Sequence, residues 1–216
     1  MTKWRYGDSW EKYPIQDNQT WSHQASGSAV TVHDIRDRLP AHMSGIDMLY
    51  SDPPWNQGNV NSFVTKAGQS RYVRSFAEFL DALAGAIDQI NPRVCYLEAG
   101  KQHIGDVAAM LQQRWTTVDS WLIRYYRKHP CYLLRAADTP APMIYTGMDD
   151  EDTPLAAIQA EGPTSVADLC TGRGLTLLAA HQCGLPFHGT ELNKRRLAVA
   201  IERANAVGVE YQPCDR

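Results

Sequence analysis

Asp52-Pro53-Pro54-Trp55 sets a carboxylate, two peptide units without N–H and a large flat ring on four consecutive residues. Carboxylate and free carbonyl oxygens accept hydrogen bonds from an amino group, and the ring can stack on a planar heterocycle. The prolines fix two φ angles and hold these groups in a stiff turn. A second stretch, Thr164 to Thr176, runs as an apolar segment into Asp168-Leu169-Cys170 and then Gly172-Arg173-Gly174. Glycines there let the backbone approach a ligand closely. Glu191 follows by about 20 residues, the spacing at which doubly wound nucleotide sites place an acid on ribose hydroxyls. The turn lacks the third glycine of a dinucleotide fingerprint, and no Gly-Lys-Ser/Thr follows for a nucleoside triphosphate. An adenosine-bearing cofactor without a pyrophosphate fits this chemistry better.

Groups so far apart in the chain need a scaffold to meet. Ile46 to Ser51 is a short apolar run bounded by turn residues, which reads as a strand buried on both faces. Ala29 to Val32 reads as a shorter strand, with His33-Asp34 at its end and a brief helix expected over 35–39, stopped by Pro40. Residues 56–75, rich in Asn, Gln, Ser and Gly, read as a long loop beside the Pro-Pro corner. Ser75 and Glu78 form a capping-box signature. Phe76, Phe79, Leu80, Leu83, Ile87 and Ile90 then recur at helical spacing until Asn91-Pro92. A strand over 94–97, a helix over 102–113 and strands near 116–126 and 131–136 follow. Residues 138–154, with three prolines and the run Asp149-Asp150-Glu151-Asp152, read as a surface linker. Beyond it lie the acid–glycine stretch, a helix from Leu175 to Cys183 stopped by Gly184, and a strand ending at Glu191. Asn193 then caps a last helix that turns Leu197, Ile201 and Ala204 inward. The division expected is an irregular arm (1–28), one domain (29–208) and a tail (209–216). Within the domain, 29–136 is the catalytic half and 155–208 the cofactor half. Trp4, Trp10 and Trp21 of the arm are expected to anchor it to the body, with stacking on bases as the alternative.

Composition narrows the class. The chain has 216 residues, 44% of them hydrophobic, which suits one domain with a full core. No window of about 18 apolar residues spans a membrane. The N-terminus lacks the apolar core of a signal peptide, so a cytoplasmic place is expected. Five widely spaced cysteines with no C-x-x-C pair point to reduced thiols, and no metal is expected. A net charge of −3 excludes a strongly basic nucleic-acid binder. Nucleic acid would instead meet local clusters: Lys66, Arg71 and Arg74 in the loop, and Arg124, Arg127 and Lys128, flanked by Arg135, between the later strands.

Together the two motifs resemble the S-adenosylmethionine-dependent amino-methyltransferases that act on adenine N6 or cytosine N4. Their catalytic motif is Asp/Asn/Ser-Pro-Pro-aromatic, here Asp52-Pro53-Pro54-Trp55. Their cofactor motif is an acid followed by Gly-x-Gly, here Asp168, Leu169, Cys170, Gly172 and Gly174. Thr190-Glu191-Leu192-Asn193 looks like the family's ribose-binding acid and helix start. The catalytic motif comes first, as in the circularly permuted branch. The resemblance implies a Rossmann-like α/β fold: a doubly wound, mostly parallel sheet with helices on both faces, circularly permuted. The permuted fold needs another strand between the Glu191 and Asp52 strands. Ala29 to Val32 supplies it and brings Asp34 near the cofactor adenine, or Val209 to Tyr211 does and Asp34 is a capping residue.

The resemblance further implies S-adenosyl-L-methionine as cofactor and an adenine amino group of DNA as acceptor. RNA adenine, cytosine N4 and a protein glutamine amide are the competing substrates, and an inactive nucleic-acid-binding subunit is the non-enzymatic reading. Asp at the first motif position favours adenine; the motif order argues against the amide. Asp52 and the Pro53 carbonyl would accept the amine N–H bonds, Pro54 would fix the turn and Trp55 would stack on the flipped base. Asp168 and Glu191 would hold the methionine and ribose ends. No insert of domain size is present to read a DNA sequence, so the 56–75 loop and the 116–136 segment must do that work, or a homodimer or separate specificity partner must, or the enzyme is not very selective.

Overall fold

The computed structural model describes residues 7–214, so Trp4 of the arm lies outside the described residues. In chain order the strands are β1 (Thr20–His23), β2 (Ser28–Val32), β3 (Met48–Ser51), β4 (Val94–Ala99), β5 (Thr117–Tyr125), β6 (His129–Ala137), β7 (Val166–Asp168), β8 (Phe187–Glu191) and β9 (Gln212–Pro213). The helices are α1 (Ser9–Lys12), α2 (Gln57–Lys66), α3 (Phe76–Ile90), α4 (Ile104–Gln112), α5 (Thr153–Glu161), α6 (Leu175–Gln182) and α7 (Lys194–Ala206). All the strands join one sheet in the order β5-β6-β4-β3-β7-β8-β2-β1-β9. The five from β4 to β2 are mutually parallel. Antiparallel partners flank them, β6 and β5 on one side and β1 and β9 on the other.

Every residue of β3 and β4 is buried, as apolar strands covered on both faces must be. One face packs α2, α3 and α4 through residues such as Val64, Phe79, Leu83, Ile87 and Leu111. The opposite face packs α5, α6 and α7 through Ile158, Leu177, Leu197 and Ile201. Ser75 caps α3 by accepting from the Glu78 N–H, and Asn91 ends it in the left-handed region. The Ala29 to Val32 segment runs beside β8, so the first half of the chain supplies the strand the permuted order needs. No helix among the described residues is long and apolar enough to cross a membrane.

Four local expectations are corrected. The supposed loop at 56–75 begins with α2, capped by Asn56, whose side chain accepts from the Asn59 N–H. Only Val60 and Val64 of α2 are buried, so its apolar stripe is two residues deep and its polar composition hid it. The helix expected at 35–39 is a turn: the Asp34 carboxylate accepts from the Arg36 N–H and the Asp34 carbonyl from the Asp37 N–H. Five residues are too few to nucleate a helix against that competition. The irregular arm supplies β1, whose Trp21 joins the core, while Trp10 packs against it from α1. The surface linker is packed: Tyr145 and Asp150 are buried. Its backbone pairs with the outer edge of β5, at Gly147 with Leu122 and at Met148 and Asp150 with Arg124, so the edge is covered.

Arg135, grouped above with the basic cluster, is fully buried on β6. Its Nε donates to Glu161 Oε1 at 2.6 Å and its Nη1 to the Thr139 carbonyl at 2.7 Å. It joins β6 to the end of α5 and reaches no solvent. Replacing one member of a buried pair strands the other charge, so Arg135→Leu should lower the unfolding free energy by about 3 kcal/mol. Urea unfolding measures this, and a loss below about 1 kcal/mol would assign the pair the modest weight of a surface bridge.

Candidate active site

β3 leads through α2 and α3 to β4 on one side, and β7 leads through α6 to β8 on the other. Where neighbouring parallel strands send their chains in opposite directions, a crevice opens beyond their carboxyl ends. A cavity of about 590 Å³ lies there, lined by residues of both sequence motifs. That volume suits a small-molecule site.

Asp168, at the end of β7, is 3% exposed, and its Oδ1 accepts from Ser51 Oγ at 2.7 Å and from the Cys170 N–H at 2.9 Å. Ser51 is the last residue of β3, so one carboxylate joins the two motif strands. Burial pushes Asp168 up to about 7, against the pull of those hydrogen bonds. Gly172 and Gly174 both have positive φ, +58° and +81°. A Cβ on Gly174 would lie 3.0 Å from that of Ala200 on α7, so this turn presses directly on the helix. Glu191 clamps the turn from β8: Oε2 accepts from the Gly172 N–H and Oε1 from the Asn193 N–H, each at 2.8 Å. Each oxygen keeps a second lone pair for a ligand hydroxyl. Asn193 caps α7 through the Arg195 N–H and donates from Nδ2 to the Lys66 carbonyl, tying α7 to α2. Leu169, Cys170 and Asp34 line the same cavity. Asp34 arrives from the end of β2 and carries Arg36 on its carboxylate at 2.5 Å.

Asp52 is an exposed residue on the wall of the cavity. Trp55 Nε1–H donates to its Oδ1 at 2.8 Å, and the indole packs against Gly100 and meets Tyr125 edge-on at 5.0 Å. Desolvation pushes Asp52 up to about 6, while the Trp55 bond and the Arg196 charge pull it down. The sequence reading gave Trp55 a flat face; the structure adds an N–H that fixes the acid beside it. Pro53 and Pro54 line the wall between them.

Several lining residues escaped the sequence reading. The β3–β4 register pairs Tyr50 with Tyr96 and Ser51 with Leu97, which sets Glu98 beside Asp52. Glu98 is the lone charge in an apolar strand, and that incongruity was the available signal. Arg173, Arg196 and Arg203 bring positive charge to the cavity from the glycine turn and α7. Tyr125 and Tyr126 reach it from the β5–β6 hairpin, whose turn holds Tyr126 and Arg127 at φ of +47° and +59°. Two bulky residues in the left-handed region cost on the order of 1–3 kcal/mol each. The Asp150 carboxylate accepting from the Tyr126 N–H at 3.0 Å helps hold them there.

The cations assigned to nucleic acid lie outside this cavity, and acids meet four of them. Arg71 pairs with Asp37 at 2.5 Å and Arg74 with Glu78 at 3.3 Å. Arg124 and Arg127 share Asp149, at 3.2 and 3.6 Å. Lys66 lies over the Phe63 ring at 5.7 Å, and Lys128 is exposed at the hairpin turn.

No family model matches the chain, and no curated protein matches it. Solved structures do. M1.HpyAVI is 16% identical with a TM-score of 0.56, over 81% of this chain and 97% of that one. TTHA0409 of Thermus thermophilus, a candidate DNA modification methylase complexed with S-adenosyl-L-methionine, is 15% identical with a TM-score of 0.56, over 84% and 95%. The cytosine-N4-specific PvuII DNA methyltransferase is 10% identical with a TM-score of 0.53, over 80% and 84%. At these identities the likeness establishes the fold: an α/β methyltransferase fold, as the resemblance implied.

A carboxyl with a pKa raised on folding binds its proton more tightly in the folded state, so stability falls as pH climbs from the unfolded value toward the folded one. For Asp168 that window runs from 3.8 to about 7. Asp168→Asn keeps an Oδ1 to accept both bonds and cannot ionise. It should therefore flatten the decline and stabilise the protein at pH 8 by on the order of 2 kcal/mol. Urea midpoints for both proteins at pH 5 and pH 8 check this; parallel declines would exclude Asp168 as the source.

Proposed function

We propose that this chain transfers a methyl group from S-adenosyl-L-methionine to the exocyclic amine of a base in DNA, with adenine N6 as the target. The observation that carries the reading is the joining of Asp52-Pro53-Pro54-Trp55 and the Asp168–Gly174 turn across adjacent strands in one cavity. The likeness to proteins named as DNA methylases supports DNA as substrate. Asp at the first motif position favours adenine; the likeness to a cytosine-N4 enzyme keeps cytosine as the second reading.

The residues present fit the cofactor. The glycine turn brings bare backbone to the cavity, Glu191 keeps lone pairs for ribose hydroxyls, and Asp168 and Asp34 complete an acidic wall. When bound, S-adenosyl-L-methionine supplies an electrophilic methyl on a sulfonium. The protein must then aim a weak nucleophile, because the base amine shares its lone pair with the ring. Asp52, held by Trp55, accepts one N–H, and the Pro53 carbonyl accepts the other. The lone pair is thereby left facing the methyl group, and positioning provides much of the acceleration. Trp55, Tyr125 and Tyr126 offer aromatic surface to a base extruded from its stack. The nitrogen loses a proton after transfer, and ionised Asp52 is placed to receive it. Lys66, Arg71, Arg74, Arg124, Arg127 and Lys128 are proposed to meet the phosphate backbone, four of them exchanging an acid for a phosphate.

Asp52→Ala should lower labelled-methyl transfer to DNA at least about 100-fold without comparable loss of cofactor affinity. In the wild type, kcat/KM should fall as pH drops through about 6, where Asp52 takes up its proton. Trp55→Phe removes the hydrogen bond that lowers this pKa, so its acid limb should move to higher pH. An unmoved limb would detach Asp52 from the rate. Separately, Glu191→Ala should weaken S-adenosyl-L-methionine binding about tenfold or more, measured by equilibrium titration; unchanged affinity would remove Glu191 from the cofactor site.

A further inference from the structure

Neither the amine-holding corner nor the glycine turn uses Glu98. Its side chain is buried, with the residue 4% exposed, and it lines the cavity. Tyr50 O–H donates to Oε1 at 2.9 Å, and Tyr50 in turn contacts Thr153 at the start of α5. Oε2 is buried and has no hydrogen-bond partner. The titratable groups acting on or facing Glu98 are Tyr50 and Asp52 from the β3 end, Asp168 from β7, Asp150 ahead of α5 and Cys131 on β6. None is a cation. The lining arginines are Arg36, held on the Asp34 carboxylate, and three by the glycine turn and α7, where Arg196 approaches Gly172 and lies over the Phe63 ring.

An acceptor oxygen in such surroundings is satisfied by an N–H-bearing, positively charged nitrogen. The amino-acid end of the cofactor carries one, an ammonium with three N–H groups. We propose that Glu98 is the anchor for that ammonium, an assignment that rests on the methyltransferase reading and extends it to the depth of the cavity. Burial first, and then the neighbouring acids, push the Glu98 carboxyl well above its ordinary range in the free protein. The arriving ammonium favours the carboxylate, so the Glu98 O–H bond breaks and its proton passes to the buffer. Binding of the amino-acid end is thus coupled to proton release.

The test is calorimetric titration at pH 7 in two buffers of different ionisation enthalpy. The ligands are S-adenosyl-L-methionine, S-adenosyl-L-homocysteine and 5′-methylthioadenosine, which lacks the amino-acid end. With wild-type protein, the first two should release up to about one proton and the third none, an arm that needs no variant. E98Q and E98L should bind S-adenosyl-L-homocysteine about tenfold or more weakly and lose the release, while 5′-methylthioadenosine binds as to wild type and so reports an intact fold. Equal release with 5′-methylthioadenosine, or unaltered homocysteine-product affinity in both variants, overturns the assignment and leaves the methyltransferase reading standing. Dependence on Glu98 that appears only once a single-stranded oligonucleotide is added assigns the nitrogen to the target base and overturns the cofactor anchor. Failure of wild-type protein to bind either full-length ligand overturns both readings.

Discussion

The hydrogen bond from Ser51 to Asp168 is the constraint on which the site depends. β3 and β7 lie side by side, but their chains part immediately beyond it, one toward the Pro-Pro corner and the other into the glycine turn. A single buried carboxylate oxygen accepts from the last residue of one strand and from the Cys170 N–H that starts the other turn. It fixes the relative height of the two motifs. Glu191 does the same one strand over, binding the glycine turn to the start of α7 with both oxygens. The cavity wall is thus set by carboxylates before any ligand arrives.

Such a wall is electrostatically costly. Asp52 and Asp168 are pushed up to about 6 and about 7, and Glu98 well above its usual range, all with desolvation as the leading cause. Apolar residues would pack there more favourably. Acids gathered along one pocket are what a site needs when its ligands bring N–H groups and positive charge, and such perturbed groups concentrate at functional sites. The same holds at the hairpin, where Tyr126 and Arg127 occupy backbone that glycine would fill at less cost. The strain is compensated by the Asp150 bond and turns two rings toward the cavity.

The long apolar elements were readable because one signal sufficed for each. α3 has its cap, its stripe and its stop in the sequence, and β3 and β4 are apolar on both faces. The motif residues were readable because their chemistry is unusual wherever it sits. What was lost depends on partners distant in the chain. α2 is held by two valines and a side-chain cap, too thin a stripe to stand out from a polar loop. β1 is a strand only because β2 and β9 pair with it. Arg135 looked like one more surface cation until Glu161, 26 residues on, took its guanidinium into the interior. Glu98 needed the β3–β4 register, which no local pattern supplies.

The permuted order explains why the segment between the halves is packed instead of slack. With the Asp52 half first, the outer strands β1 and β9 pair with each other, and β3 is inserted between β4 of its own half and β7 of the other. The halves therefore share one sheet and one cavity and cannot move apart as domains. The connection must run from β6 past the β5 edge to α5, and along the way it passes the cavity. Asp150 and Thr153 lie on that stretch, one bonded to the hairpin turn and the other to Tyr50 beneath Glu98. A flexible linker would leave Tyr126 and Tyr50 without those partners. Covering the β5 edge and completing the deep wall of the site are consequently two results of one path, imposed by the order in which the strands are strung.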